Sequence, residues 1–166
     1  MTSHLGQNPL DHVVLEIVMG MNGGYGPEKI EFVRNTVDGT RAPAASPGAF
    51  RVPTGKVLVI TDVDWQYAHG NPGDMQIFRL FADPLSSTTS PSHGLRVFES
   101  AIALGPQGSG GASIAATSGF AISSKARIGV DMFPGPLAQG GLQHCLLRGY
   151  LTIAPKPPRP TKKKRK

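Results

Sequence analysis

Apolar and polar residues alternate along most of this chain. In 12–19, Val13, Leu15, Ile17 and Met19 share one parity, with His12 and Glu16 on the other. That period of two predicts a strand, because successive side chains of a strand point to opposite faces. The clearest signal lies in 120–132. Phe120, Ile122, Ala126, Ile128, Val130 and Met132 fall on one parity, and Ser123, Lys125, Arg127 and Asp131 on the other. A helix would scatter these positions around its circumference, whereas a strand or tight hairpin collects them on one face. In 142–153, Cys145, Leu147, Leu151 and Ile153 alternate with His144, Arg148 and Thr152. The stretches 75–81 and 95–104 read as further strands, and 30–37 fits a strand or a short helix equally well.

The most strand-like stretch is FRVPTGKVLVITDVDWQY, 50–67. A regular strand puts Val57, Val59, Thr61, Val63 and Trp65 on one face, and Leu58, Ile60, Asp62 and Asp64 on the other. It begins apolar on both faces and then emerges from the core on one of them. Between the strands lie the turn-forming stretches GMNGGYGP (20–27), DGTRAPAASPG (38–48), AHGNPGD (68–74), ADPLSSTTSPSHG (82–94), GPQGSGG (105–111) and PGPLAQGG (134–141). About eight short strands, turn signals between them and no convincing amphipathic helix predict an all-β fold. Several connections are long, which favours an antiparallel, jelly-roll-like sandwich over an up-and-down barrel.

Length and composition refine this picture. A chain of 166 residues fits one domain with a core that needs no staples. The expected organisation is a flexible N-terminus at 1–10, a sandwich domain at 11–154 and a Pro-rich basic tail at 155–166. The formal charge of +6 belongs to that tail. Seven cations and no acid fall in 156–166, and the rest of the chain is net −1. Prolines 155, 157, 158 and 160 favour an extended polyproline conformation, so the tail is expected to be an arm on a semi-rigid stalk. The single Cys145 excludes an internal disulfide and reads as a small buried hydrophobe. DHVVLEIVM is short and interrupted by Glu16, which argues against a signal peptide or membrane span and for a cytoplasmic protein, with leaderless export or a virion as the alternatives.

Candidate chemistry is sparse. Asp62 and Asp64 share a face and could be joined by His69 and Asp74, yet calcium takes six to eight oxygens and this set supplies too few. The alternative is that the two carboxylates solvate a strand end, with Arg79 as a cross-strand partner. The five histidines are scattered, with no His-x-His pair of the cupin kind, so no metal is expected. There is no nucleophile elbow, and GMNGGYG lacks the lysine and the spacing of a phosphate loop. No catalytic residue and no cofactor are therefore expected. Trp65 and Tyr67 share a parity beside a loop, as do the flat aromatics of sugar-binding sandwiches; the competing reading is a core tryptophan. Lys162, Lys163, Lys164, Arg165 and Lys166 resemble a nuclear localisation signal and equally a nucleic-acid-binding arm.

These readings lead to a non-enzymatic β-sandwich that forms a homo-oligomer or docks on a larger assembly. Two alternatives stand beside it. One is a capsid- or packaging-type jelly roll whose basic arm neutralises nucleic acid. The other is a carbohydrate-binding module.

Overall fold

The computed structural model of the chain describes residues 11–17, 24–26, 30–34, 40–43, 50–85, 94–133 and 140–155. Among the described residues ten strands run in chain order: β1 (His12–Ile17), β2 (Gly24–Gly26), β3 (Ile30–Arg34), β4 (Arg41–Pro43), β5 (Lys56–Ala68), β6 (Met75–Pro84), β7 (Leu95–Ala103), β8 (Gly110–Ser123), β9 (Ala126–Phe133) and β10 (Gly141–Ile153). No α-helix occurs among the described residues. A six-stranded sheet has the order β4-β3-β1-β10-β5-β8 and a four-stranded sheet the order β2-β9-β6-β7. Every pairing is antiparallel. From β5 onward the chain passes repeatedly from one sheet to the other, as a jelly roll requires. The expected fold class is the observed one.

Some of the differences from the sequence reading lie in weak strands. β2 and β4, three residues each, arise inside stretches read as loops. The ambiguous segment resolves as strand β3. The run at 120–132 is a tight turn at 124–125 that joins β8 to β9, and the two strands belong to different sheets. Its shared parity survives because both strands face the same core.

That core is built from the inward residues of both sheets. Trp65 stacks on Phe78 at 5.6 Å between centroids, Phe78 meets Phe98 edge-on at 6.4 Å, and Phe98 packs on Phe120 at 5.2 Å. The aromatic chain thus bridges the sheets, since Trp65 and Phe120 belong to one and Phe78 and Phe98 to the other. Offset and edge-on ring pairs add about 0.5–1.5 kcal/mol each beyond area burial.

β5 corrects one expectation. Its buried residues are Leu58 and Ile60, then Val63, Trp65 and Tyr67, a switch of parity within one strand. Thr61 has no partner in either neighbouring register: Ile60 and Asp62 pair with Gly149 and Arg148 on β10, and with Phe120 and Ala115 on β8. An extra residue in a strand shifts every later side chain to the opposite face. The bulge therefore puts Val57, Val59, Asp62, Asp64 and Gln66 on the outer face. A regular strand would have faced Val57 and Val63 the same way.

Residues 1–10 and 156–166 lie outside the described residues, and with them the cluster Lys162, Lys163, Lys164, Arg165 and Lys166.

Candidate functional site

The outer face of the six-stranded sheet carries the carboxylates that the sequence singled out. Asp62 accepts a hydrogen bond from the Thr61 hydroxyl at 2.9 Å. Asp64 Oδ2 lies 3.5 Å from Arg148 Nη2 on the neighbouring strand. Arg148, not Arg79, is thus the cation beside this pair. His69 is exposed with a positive φ of 64°, and Asp74 accepts from Asn71 Nδ2 at 3.0 Å within its own turn. Among the described residues, no three His, Cys, Asp or Glu side chains converge as metal ligands.

Among the described residues, grooves open on this face in at least two places. One, about 480 Å³, lies over the β5 bulge, with His12 and Tyr150 at one side and Asp62 and Arg148 at the other. The second, about 470 Å³, lies where the face reaches β8, which forms the edge of the sheet. It is bounded by Asp64, Gln66, Ser109, Ser113 and Gln143. Its floor is Gly111, opposite Gln66 in the register. A Cβ at Gly111 would stand 2.7 Å from the Trp65 carbonyl oxygen and 3.0 Å from Gln66 Cγ, so only glycine lets the two strands approach there.

Trp65 and Tyr67 border this groove, but their side chains belong to the core, at 0% and 1% exposure. Trp65 Nε1 donates to Ser100 Oγ across the sandwich at 3.2 Å. Neither ring offers a face to solvent, so neither forms a stacking platform for a sugar. Burial, then the charge of Asp74, pushes the Tyr67 hydroxyl pKa up. Burial, followed by the negative charge of Asp64, likewise pushes the Cys145 thiol far up, which leaves it an inert core side chain.

The outer face of the four-stranded sheet carries a surface that alternation alone did not reveal. Phe133, Ile77 and Ala101 form one row across β9, β6 and β7, with Met75 beside Ala103 in the next register. Phe133 is 52% exposed and Met75 54%. The adjoining row is ionic. Arg79 donates to Glu99 at 2.7 Å and lies 3.5 Å from Asp131, and Arg96 meets Glu99 at 2.7 Å. The Arg79 guanidinium also lies 5.5 Å from the centre of the Phe133 ring. Exposed Met, Phe and Arg side chains in one patch are the composition of interface centres. The signal in the sequence was the odd parity of β6, where Met75, Ile77 and Arg79 oppose the core residues Phe78 and Leu80. It was masked because both parities of β6 are rich in apolar residues.

The ion row gives a pH prediction. The Arg79 hydrogen bond, then the nearby charge of Arg96, holds the Glu99 carboxyl below the usual range. A carboxyl whose pKa is lowered by folding stabilises the native state above its unfolded pKa, about 4.3, and loses that contribution as pH falls through the lowered value. Urea midpoints for the parent and Glu99→Gln should therefore differ near neutrality and converge below the Glu99 titration. A constant difference across that range assigns no role to the ionised carboxylate.

The architecture is that of a two-sheet jelly-roll β-sandwich. A solved structure with this arrangement is the Eiger TNF from S. frugiperda, with a TM-score of 0.50 and 13% identity, covering 89% of this chain and 97% of that one. No protein-family model matches the sequence, and no curated protein matches it. At this identity the likeness concerns the fold.

Proposed function

We propose that this chain is a non-enzymatic binding or structural protein that associates with copies of itself through the outer face of its four-stranded sheet. The observation that carries the reading is the apolar row of Phe133, Ile77 and Met75 on that face, flanked by ion-paired Arg79, Glu99, Asp131 and Arg96. The flanking row alternates in sign and has no net charge, so a second copy turned about a two-fold axis can meet it with opposite charges. The free edge at β8 is a weaker candidate. Residues 116–119 bulge out opposite Thr61, and bulges blunt the pairing of edges.

Light scattering should return a multiple of 17.5 kDa for the full chain. Each buried apolar side chain is worth about 1.5–3 kcal/mol, so Met75→Ser with Phe133→Ser should weaken assembly by more than tenfold and shift the mass toward 17.5 kDa. Because both residues are exposed in the single chain, the variant should keep the parent's unfolding midpoint at concentrations where the parent is dissociated. A parent that stays at 17.5 kDa across a concentration series ends the proposal.

A second reading rests on the division of charge. The cluster Lys162–Lys166 gives the chain its polyanion affinity, since 1–155 are net −1. Removing 156–166 should abolish retention on heparin or DNA and leave the melting temperature in place. Five phosphate contacts imply a log–log salt slope of roughly −4 to −5 for the full chain. A truncated chain that still binds with a steep slope points to a basic patch on the folded body instead.

A further inference from the structure

We propose that the groove between β5, β8 and β10 on the outer face of the six-stranded sheet binds a neutral saccharide through hydrogen bonds alone, without a stacking ring. The proposal is independent of self-association, which uses the opposite face of the sandwich.

The lining selects the ligand class by elimination. Asp64, Gln66, Ser109, Ser113 and Gln143 surround a volume of about 470 Å³ over the bare peptide of Gly111. The volume falls within the range of small-molecule sites. Among the described residues, an apolar ligand finds no apolar side chain here larger than Ala68 or Ala112, because the Trp65 and Tyr67 rings are turned into the core. Among the described residues of the lining, a phosphate or carboxylate meets one charged group, the Asp64 carboxylate. A calcium ion needs six to eight oxygens, commonly from several carboxylates, and the described lining holds one carboxylate. A ligand dense in neutral hydroxyls suits what remains. Each sugar hydroxyl both donates and accepts. Asp64 can accept from two of them, while the amides of Gln66 and Gln143 and the hydroxyls of Ser109 and Ser113 can do either. Arg148 Nη2 lies 3.5 Å from Asp64 Oδ2 and is not among the described lining residues.

The residues also stand where a ligand can reach them. Gln66, Ser109, Gly111 and Ser113 are exposed, and Asp64 and Gln143 are half-buried. Gln143 has no partner in the β10–β5 register, which passes from the Leu142–Tyr67 pair to His144–Gln66. That irregularity separates it from the alternation of β10 and places it at the groove. With no aromatic platform, affinity rests on a few hydrogen bonds set against the cost of association, so binding should be millimolar or weaker.

The test is a titration of the uniformly 15N-labelled full chain with glucose, galactose, mannose, xylose and N-acetylglucosamine, each up to about 0.2 M, well above a millimolar Kd. At least one sugar should cause saturable shifts in the side-chain amides of Gln66 and Gln143 and in the backbone amides of Gly111 and Ser113. Gln66→Ala and Ser113→Ala, both at exposed positions, should each weaken that binding by about 3–10-fold with an unchanged spectrum elsewhere. The proposal is overturned by an absence of shifts with all five sugars, or by shifts that map outside the groove. It is equally overturned if calcium chloride or inorganic phosphate saturates the groove amides and the sugars do not.

Discussion

Trp65→Ala should remove about 3–5 kcal/mol of folding stability, a large share of the roughly 5–15 kcal/mol that holds a domain together. Trp65 is fully buried, stacks on Phe78 and carries the start of the aromatic chain that joins the sheets. Its removal leaves a cavity whose walls are strands of two paired sheets, which relax poorly. Trp65→Phe separates the components. It keeps a ring against Phe78 but deletes the donor to Ser100, itself only 9% exposed. An unpartnered buried hydroxyl costs about 1–3 kcal/mol, so this variant should fall between the parent and Trp65→Ala. Urea denaturation at fixed protein concentration measures all three. A Trp65→Ala chain with the parent's midpoint would show that the ring lies outside the core. Because Trp65 lines the wall behind the saccharide groove, sugar binding should be kept in Trp65→Phe.

The parts of the fold legible in the sequence are those whose two faces differ. β9 and β10 alternate because one side meets the core and the other is more open, and Val130, Met132, Cys145 and Leu147 are buried as that pattern predicts; in β1 Val13 and Leu15 are buried as predicted, but Glu16 on the other parity is buried too. β8 was hidden for the opposite reason. Its first half, GGASIA, faces the core with Ala112 and Ile114 and solvent with Ser113 and Ala115, so small residues on both faces imitate a glycine-rich turn. β2 and β4 hold three residues each, too few to show a period, and β2 pairs with β9, far along the chain. The groove was illegible because Asp64 and Gln66, Ser109 and Ser113, and Gln143 come from three separate stretches that only the sheet order assembles. Alternation also assumes an unbroken strand. The bulge at Thr61 made one face of β5 look like two, and no local composition marks it.

That bulge yields the sharpest test of the backbone. Gly149→Ala should cost about 2–3 kcal/mol, the upper part of the range for overpacking. A Cβ at Gly149 would lie 2.9 Å from Ile60 Cα and closer still to the Val59 carbonyl oxygen. Both obstacles are main-chain atoms of a central strand, which cannot swing away as a side-chain tip can. Gly149 has no positive φ, so the penalty is steric and not conformational. Gly55 is the complement: its φ is +77° and nothing lies within 4 Å of a Cβ there. Gly55→Asn should thus be almost neutral, because asparagine tolerates the left-handed region. The cause of the Gly149 penalty can be isolated by deleting Thr61. Without it, Ile60, Asp62 and Val63 become consecutive and keep their facing, inward, outward and inward, in a regular strand opposite Gly149 and Arg148. Gly149→Ala should then cost less in the chain lacking Thr61 than in the parent, a coupling of about 1 kcal/mol or more between residues in contact. Equal costs in the two backgrounds would place the obstruction in the general spacing of β5 and β10, and the bulge would have no part in requiring glycine at 149.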